Sequence, residues 1–218
     1  MTAAPVRATL AGMRPLAAAC LAAVLAVTAA PAARADDEGL DAQVLALRVG
    51  AWIPAGPSMA GLEPGPEGEL TLGVRLLSWL GAEMGAGVAR PSSTSAAVRD
   101  AAGVARTVEP RLWDVPVGGG LRAFLAAGPV ELSAAAGVAV HFVSAERDVA
   151  SSATTAVTTE KEEDASLGGW AAVAAMVPVG RHTSLGVEGR FTVLRPHLFG
   201  ERQRLDAFAA GLRIAQGF

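Results

Sequence analysis

Hydrophobic and polar positions alternate along several stretches of the chain, and the last of these stretches reaches the C-terminus. Phe208, Leu212, Ile214 and Phe218 fall on one face of that segment, whereas Arg213 falls on the other. Side chains of a strand point alternately to opposite faces. The segment is therefore predicted to be a strand with one apolar face and one face of small or charged residues.

The same two-residue period recurs upstream. Large apolar residues share one face, and small or charged residues the other, in residues 45–53, 69–76, 82–89, 115–124, 130–142 and 184–193. Residues 169–179 have an unclear period because both faces are small or apolar. With the C-terminal segment, these stretches predict eight strands and an all-β fold.

The connections between these strands alternate in length. Short turns are predicted around residues 79–81, 127–129 and 179–182, and long exposed loops over residues 54–68, 91–110, 144–166 and 195–204. Outer-membrane barrels have short turns on one rim and long loops on the other. The pattern predicts an eight-stranded antiparallel transmembrane up-and-down β-barrel, with short periplasmic turns and long extracellular loops.

The N-terminus has the pattern of an export signal. Arg7 and Arg14 precede a long apolar run, which ends in Ala33-Arg34-Ala35 before the acidic Asp36. A basic start, an apolar centre and small residues at the cleavage site predict a signal peptide over residues 1–35, and residues 36–218 then form the barrel domain. A transmembrane anchor and a lipoprotein signal using Cys20 are the alternatives.

Charge and cysteine content exclude several classes of function. The chain has 18 basic and 21 acidic residues, a formal net charge of −3, and no basic cluster with interleaved aromatic residues, so no nucleic-acid partner is predicted. The single cysteine, Cys20, lies in the predicted signal peptide, which leaves no disulfide or thiol nucleophile in the mature chain. No cofactor-binding or metal-binding motif is present in the sequence.

The strand pattern and the terminal Phe218 resemble the small eight-stranded outer-membrane proteins of the OmpA transmembrane-domain and OmpX type. The resemblance covers the whole predicted mature chain and implies a monomer in the outer membrane of a Gram-negative bacterium, in contact with lipid and lipopolysaccharide. It also implies periplasmic chaperones and a barrel-insertion machinery that reads Leu212, Ile214 and Phe218 as a terminal signal. Gln216 departs from the apolar residue usual in that class.

Charged residues in the strands fall on the face opposite the apolar one: Arg48, Arg75, Glu83, Arg122, Glu131, Glu188, Arg190 and Arg213. On the lipid face an arginine would cost about 2–4 kcal/mol at the membrane midplane, so these side chains are predicted to point inward. An Arg–Glu network that fills the lumen is favoured, because eight strands enclose a space just wide enough for side chains. A narrow anion-leaning pore, a small passive channel like a porin, is the alternative.

Other functions receive weaker support from the sequence. Lipid A deacylases pair a histidine with a serine. His141 and Ser144 are the candidates here, but they do not match that family's closer spacing and alternation places them on opposite faces, so no catalysis is predicted. The acidic residues 160–164 and the basic Arg195, Arg202 and Arg204 are predicted to be solvated loop residues; binding of divalent cations and of lipopolysaccharide phosphates is the alternative. A secreted lipocalin-like barrel is a further alternative fold.

Overall fold

The computed structural model describes residues 43–55, 61–99, 105–151 and 157–218. The predicted signal peptide, including Ala33 and Ala35, lies outside these residues. None of the described residues belongs to a helix long and apolar enough to cross a membrane.

Eight antiparallel strands close into a ring, and a ninth, short strand, Ala96–Arg99, pairs with one of them in the same sheet. We number them β1 (Gln43–Pro54), β2 (Gly65–Leu77), β3 (Leu80–Ala89), β4 (Ala105–Ala127), β5 (Val130–Ser151), β6 (Val157–Pro178), β7 (Thr183–Val193) and β8 (Ala207–Gly217). Each strand pairs with its neighbours in sequence, β1 pairs with β8, and β3 pairs with β4 across the third connection. The predicted eight-stranded antiparallel barrel is confirmed.

The alternating pattern gives the barrel an apolar exterior and a polar interior. Val49 and Leu212 are 57% and 61% exposed on the outer face, whereas Arg48 and Arg213, their neighbours in sequence, are buried inside. β6, which contains residues 169–178 of the ambiguous stretch, follows the same rule: Trp170 is buried and Val173 is 64% exposed. A contiguous apolar exterior of this extent is what a lipid-facing barrel requires.

The short turns lie together on one rim, which we call the short-turn rim. They connect β2 to β3 over residues 78–79, β4 to β5 over residues 128–129, and β6 to β7 over residues 179–182. Gly128 has a φ of 63°, a left-handed conformation that glycine adopts without a steric penalty. The strand ends that the other connections join lie on the opposite rim, which we call the long-loop rim.

Three strands extend further than the sequence pattern predicts. β4, β5 and β6 contain 22 or 23 residues, so much of the predicted loops 91–110 and 144–166 is strand. Cross-strand ion pairs stabilise this extension: Arg147 Nη2 lies 2.6 Å from Glu160 Oε2. The loop prediction was wrong here because a sheet exposed to water on both faces has the polar composition of a loop.

The connection from β7 to β8 is also more ordered than predicted. Its two-residue strands, His197–Leu198 and Glu201–Arg202, form a hairpin whose turn residues Phe199 and Gly200 have φ values of 55° and 79°. Leu198 is fully buried. Together with Leu194 and Leu205 beside the hairpin, Leu198 joins one apolar cluster with inward residues of the barrel strands, including Trp52, Leu112 and Val143. We call residues 194–206 the cap hairpin.

Candidate functional site in the barrel lumen

A buried carboxylate in β7 is the centre of the lumen. The Glu188 side chain is completely shielded from solvent and is surrounded by four arginines. Its oxygens accept hydrogen bonds from Arg213 Nη1 at 2.7 Å and Arg122 Nη2 at 2.8 Å. Arg48 Nε and Arg190 Nη2 lie at 3.4 and 3.6 Å from Glu188 Oε1, as ion pairs without hydrogen-bonding geometry. One carboxylate alone cannot neutralise four guanidinium groups.

A second carboxylate balances the side of this cluster that faces the short-turn rim. Glu83 of β3 accepts hydrogen bonds from Arg122 Nε at 2.7 Å and Arg122 Nη2 at 3.1 Å. The remaining guanidinium nitrogen of Arg122 donates to Ser133 Oγ at 2.9 Å. Arg213 Nη2 lies 3.7 Å from Glu83, beyond hydrogen-bond distance. Each of the three guanidinium nitrogens of Arg122 therefore donates a hydrogen bond, whereas Arg213 Nη2 makes none to Glu83.

Two carboxylates of β2 balance the side that faces the long-loop rim. Glu69 lies 2.6 Å from Arg190 Nη1 and accepts a hydrogen bond from Arg48 Nη2 at 2.8 Å. Glu67 also accepts a hydrogen bond from Arg48. The central cluster therefore contains four arginines and four glutamates, and its formal charge is zero: Arg48, Arg122, Arg190, Arg213, Glu67, Glu69, Glu83 and Glu188.

The structure brings six of the eight predicted lumen residues into this central cluster. The other two, Arg75 and Glu131, form a separate ion pair nearer the short-turn rim, where Arg75 also stacks on Phe124 at 4.0 Å. Their side chains are 15% and 35% exposed, so this pair is wetter than the central cluster.

Sequence reasoning missed Glu67 and Glu69 as partners. Glu67 lies in a stretch rich in proline and glycine that reads as a loop, and Glu69 stands at the first position of the predicted strand. A signal was available, since Glu67 and Glu69 share the parity of Arg75 on β2. Glu69 already lay on the inner face of the predicted strand, and extending the alternation backwards by one period would have placed Glu67 inside as well.

An aromatic ring packs beside the central cluster. The Arg190 guanidinium stacks on Trp170 at 4.3 Å from the ring centre. The Trp170 ring lies over Gly137 of β5, where an added Cβ atom would be 2.7 Å from Trp170 Cζ2. The glycine thus makes room for the ring that positions Arg190.

The empty space in the lumen is divided unequally by the central cluster. On the side of the short-turn rim a cavity of about 340 Å³ extends from the turns to Arg122 and Arg213, and we call it the vestibule. On the other side, between the cluster and the cap hairpin, a void of only about 40 Å³ remains beside Trp52, Trp170 and Leu205.

The cap hairpin is held by a buried carboxylate outside the membrane-spanning strands. Asp206 is 1% exposed, and it accepts hydrogen bonds from Arg195 and, at 2.6 Å, from Arg204 Nε. Burial by itself would raise the pKa of the Asp206 carboxyl. The hydrogen bonds from Arg195 and Arg204 outweigh burial and hold that pKa below its ordinary value.

The histidine considered as a catalytic base is buried inside the barrel. His141 Nδ1 lies 2.9 Å from Asp114 Oδ2, and its Nε2 is buried without a hydrogen-bond partner. Ser144 lines a depression on the outer face of the barrel. The two side chains lie on opposite faces of β5, as alternation predicted, and do not form a nucleophile–base pair.

The polar segments of the long-loop rim are engaged in contacts within the protein. Lys161 Nζ lies 3.3 Å from Glu163, and Asp164 accepts a hydrogen bond from the His197 amide at 2.8 Å. Across the part of the chain that the structure describes, no group of three acidic, histidine or cysteine side chains is arranged to hold a metal ion. Arg202 lies exposed in the cap hairpin.

The residues predicted as a terminal insertion signal lie on the outer face of β8 and just beyond it. Leu212, Ile214 and Phe218 are 61%, 49% and 53% exposed. The backbone of Phe218 exchanges hydrogen bonds with Gln43, at 3.0 and 3.3 Å, and so pairs the two ends of the barrel sheet.

Comparison with known proteins identifies the fold. No family model matches the chain, and no curated protein sequence does. Among solved structures, neisserial surface protein A is 12% identical with a TM-score of 0.52, covering 81% of this chain and 95% of that chain. OprG from Pseudomonas aeruginosa is 13% identical with a TM-score of 0.54, covering 84% of this chain and 99% of that chain.

A third similar structure is a major outer membrane protein from Thermus thermophilus. It is 16% identical with a TM-score of 0.50, and the match covers 81% of this chain and 100% of that chain. At such low identities the likeness establishes the fold alone. The chain has the eight-stranded transmembrane barrel fold of small outer-membrane proteins, as its resemblance to the OmpA and OmpX type implied.

Proposed function

We propose that this protein is a monomeric barrel of the Gram-negative outer membrane with a structural or surface-interacting role, and that the central cluster closes its lumen to solutes. The observation that carries the proposal is the complete burial of Glu188 among four arginines at the middle of the barrel. In outer-membrane barrels the short turns lie in the periplasm and the long loops outside the cell, so the short-turn rim faces the periplasm and the long-loop rim faces outside. Lipid and lipopolysaccharide then surround the apolar exterior.

The charge balance of the central cluster supports closure over conduction. A conducting pore requires a continuous hydrated path, and an ion-selective one also requires a net charge along that path. Four arginines and four glutamates pair across the lumen instead, and eight strands leave little space around them. The cap hairpin adds a second obstacle at the long-loop rim.

A small passive channel is the competing function, and the vestibule is the observation that favours it. A cavity of about 340 Å³ already occupies the periplasmic part of the lumen. A conducting path would form if the central cluster rearranged to join the vestibule to the void under the cap hairpin.

Planar-bilayer recordings of the refolded mature protein test closure. Wild type is expected to show only rare, small current steps. Removal of the charge-balanced pair Glu83→Ala with Arg122→Ala should increase the current, because it opens the central cluster. The matched pair Arg75→Ala with Glu131→Ala should leave the current unchanged, because it widens only the vestibule. Steady conductance of the wild type would overturn the closed-lumen proposal in favour of a channel.

A further inference from the structure

The vestibule and the void beneath the cap hairpin have opposite charge. Four arginines but only two glutamates line the vestibule: Arg75, Arg122, Arg181, Arg213, Glu83 and Glu131. The void on the other side is lined by two arginines and four carboxylates: Arg48, Arg190, Glu67, Glu69, Glu83 and Asp114. The neutral central cluster is therefore polarised along the barrel axis, and its positive side faces the vestibule.

The closed end of the vestibule presents a guanidinium edge, that of Arg213. Arg213 Nη1 donates to Glu188, but Arg213 Nη2 lies 3.7 Å from Glu83 and makes no hydrogen bond there. A guanidinium edge of this kind matches the two oxygens of a carboxylate. The vestibule can thus supply a charged, directional contact at its deepest point.

The walls nearer the mouth of the vestibule are largely apolar. Phe124, Met176 and Val44 line them, together with Pro129 of one short turn and Pro178 at the end of β6, and small residues such as Ala215 keep the space open. Ligand cavities typically combine mostly apolar walls with a few well-placed polar groups, and they begin at about 300 Å³. The vestibule has this composition and an opening between the short turns.

We propose that the vestibule is a binding site for a small amphiphilic carboxylate that enters from the short-turn rim. The carboxylate lies against Arg213 at the closed end, and a short alkyl chain runs along Phe124 and Met176 toward the turns. The net positive lining attracts the anion, and Arg181 at the mouth adds to this attraction. The site does not require the lumen to be closed, so it stands or falls independently of the proposed function.

Two methionines provide a reporter and an internal control for this site. Met176 is buried and lines the vestibule, whereas Met84 is 37% exposed on the lipid-facing exterior. Methyl NMR of the mature protein in lipid nanodiscs, titrated with octanoate, should show a saturable shift of the Met176 signal and little change at Met84. Octan-1-ol, which has the same chain without the charge, should shift Met176 much less.

Two substitutions outside the central cluster should change octanoate affinity in opposite directions. Arg181→Gln removes a cation at the mouth, and affinity should fall about two- to fivefold, the range of an exposed ion pair. Glu131→Gln removes one of the two lining carboxylates and frees Arg75, so affinity should rise by a similar factor. Both effects should shrink at high salt.

Several results would overturn the proposed site. Equal shifts at Met84 and Met176 would mean that octanoate only partitions into the lipid. An equal shift of the Met176 signal with octan-1-ol would show that charge does not contribute to binding. If Arg181→Gln and Glu131→Gln changed octanoate affinity in the same direction, or not at all, the charges that line the vestibule would not determine affinity. Conductance recordings measure closure of the lumen separately, so failure of either proposal is distinguishable.

Discussion

Glu188 illustrates how a single residue organises the interior of this barrel. Arg48 and Arg213 are direct cross-strand neighbours, an arrangement of like charges that is unfavourable by itself. Glu188 contacts both of them, and Glu69 pairs with Arg48 as well. Carboxylates shared between several arginines thus offset the repulsion between Arg48 and Arg213. Because the partners are shared, removal of one member leaves another without its ion pair and should lower the free energy of unfolding.

Substitution of a buried arginine should therefore lower the free energy of unfolding more than substitution of a partly exposed one. Arg190→Met leaves Glu69 and Glu188 short of a partner, and it should lower the free energy of unfolding by about 3–5 kcal/mol. Arg75→Met breaks the wetter pair with Glu131 and should cost about 0–1 kcal/mol. Urea unfolding of both variants in lipid vesicles measures the difference.

Equal and small losses for the two variants would contradict the buried network and indicate a hydrated lumen. Both substitutions replace an arginine by methionine on the inner face of the barrel, so they serve as controls for each other in side-chain length and apolar area. Retention of heat-modifiable mobility in detergent would show that each variant still inserts as a barrel.

At the scale of elements, the cap hairpin departs most from what local composition indicates. Residues 195–204 are mostly polar, yet Leu198 is their anchor, fully buried against strands that are distant in sequence. The Phe199 ring lies under the Arg147 guanidinium at 4.0 Å, which fastens the turn to β5. A short polar segment thus becomes ordered through two apolar side chains and one buried aspartate.

Protonation of Asp206 should release the cap hairpin in acid. The Asp206 carboxyl has a pKa below its ordinary value of about 3.9. Its contribution to stability is therefore complete above about pH 4 and is lost as the pH falls through the lower pKa of the folded state. Hydrogen exchange of residues 194–206, corrected for the intrinsic pH dependence, should show protection declining only below about pH 4.

Asp206→Asn provides the reference for this experiment. The amide lacks the charge that pairs with Arg195 and Arg204, so protection of the cap hairpin should already be low at neutral pH and change little in acid. If wild type and Asp206→Asn followed the same pH curve, the acid response would come from other carboxylates and the role assigned to Asp206 would be wrong.

For the whole molecule, closure of the ring depends on its two ends. β1 and β8 pair over their full length, and the last hydrogen bonds of this pair join Gln43 and Phe218. The Phe218 ring faces outward at the short-turn rim, where the fold's resemblance places the terminal insertion signal. Phe218 thus takes part in the pairing of β1 with β8 that closes the barrel, and it also belongs to the signal that the resemblance implies for assembly.

Deletion of Phe218 should impair assembly much more than export. The predicted signal peptide and the predicted terminal signal would act at different steps, so the precursor should still be cleaved after Ala35, while the heat-modifiable fraction in the membrane falls severalfold. Phe208→Ala, which removes another outward phenylalanine of β8, is the matched control and should assemble better. Normal assembly of the truncated chain would contradict the terminal-signal prediction.

The closed ring of eight strands was predictable from the sequence, and so was the facing of each strand except the ambiguous residues 169–179. A strand repeats every two residues, so the burial of Arg122 and the exposure of Leu125 follow from their parity alone. The same rule placed six members of the central cluster inside the barrel. This prediction does not depend on which strands pair with each other, because lipid excludes charged side chains from the outer face whatever the strand register.

Which arginine meets which glutamate was decided by the tertiary structure. Glu188 and Arg122 are 66 positions apart, and their contact depends on the register of several intervening strands and on the diameter of the closed ring. The strand extensions of β4–β6 and the burial of Leu198 likewise depend on partners distant in sequence. Alternation in one strand specifies a face, whereas pairing, capping and the shape of the vestibule arise only when all eight strands share one closed hydrogen-bond register.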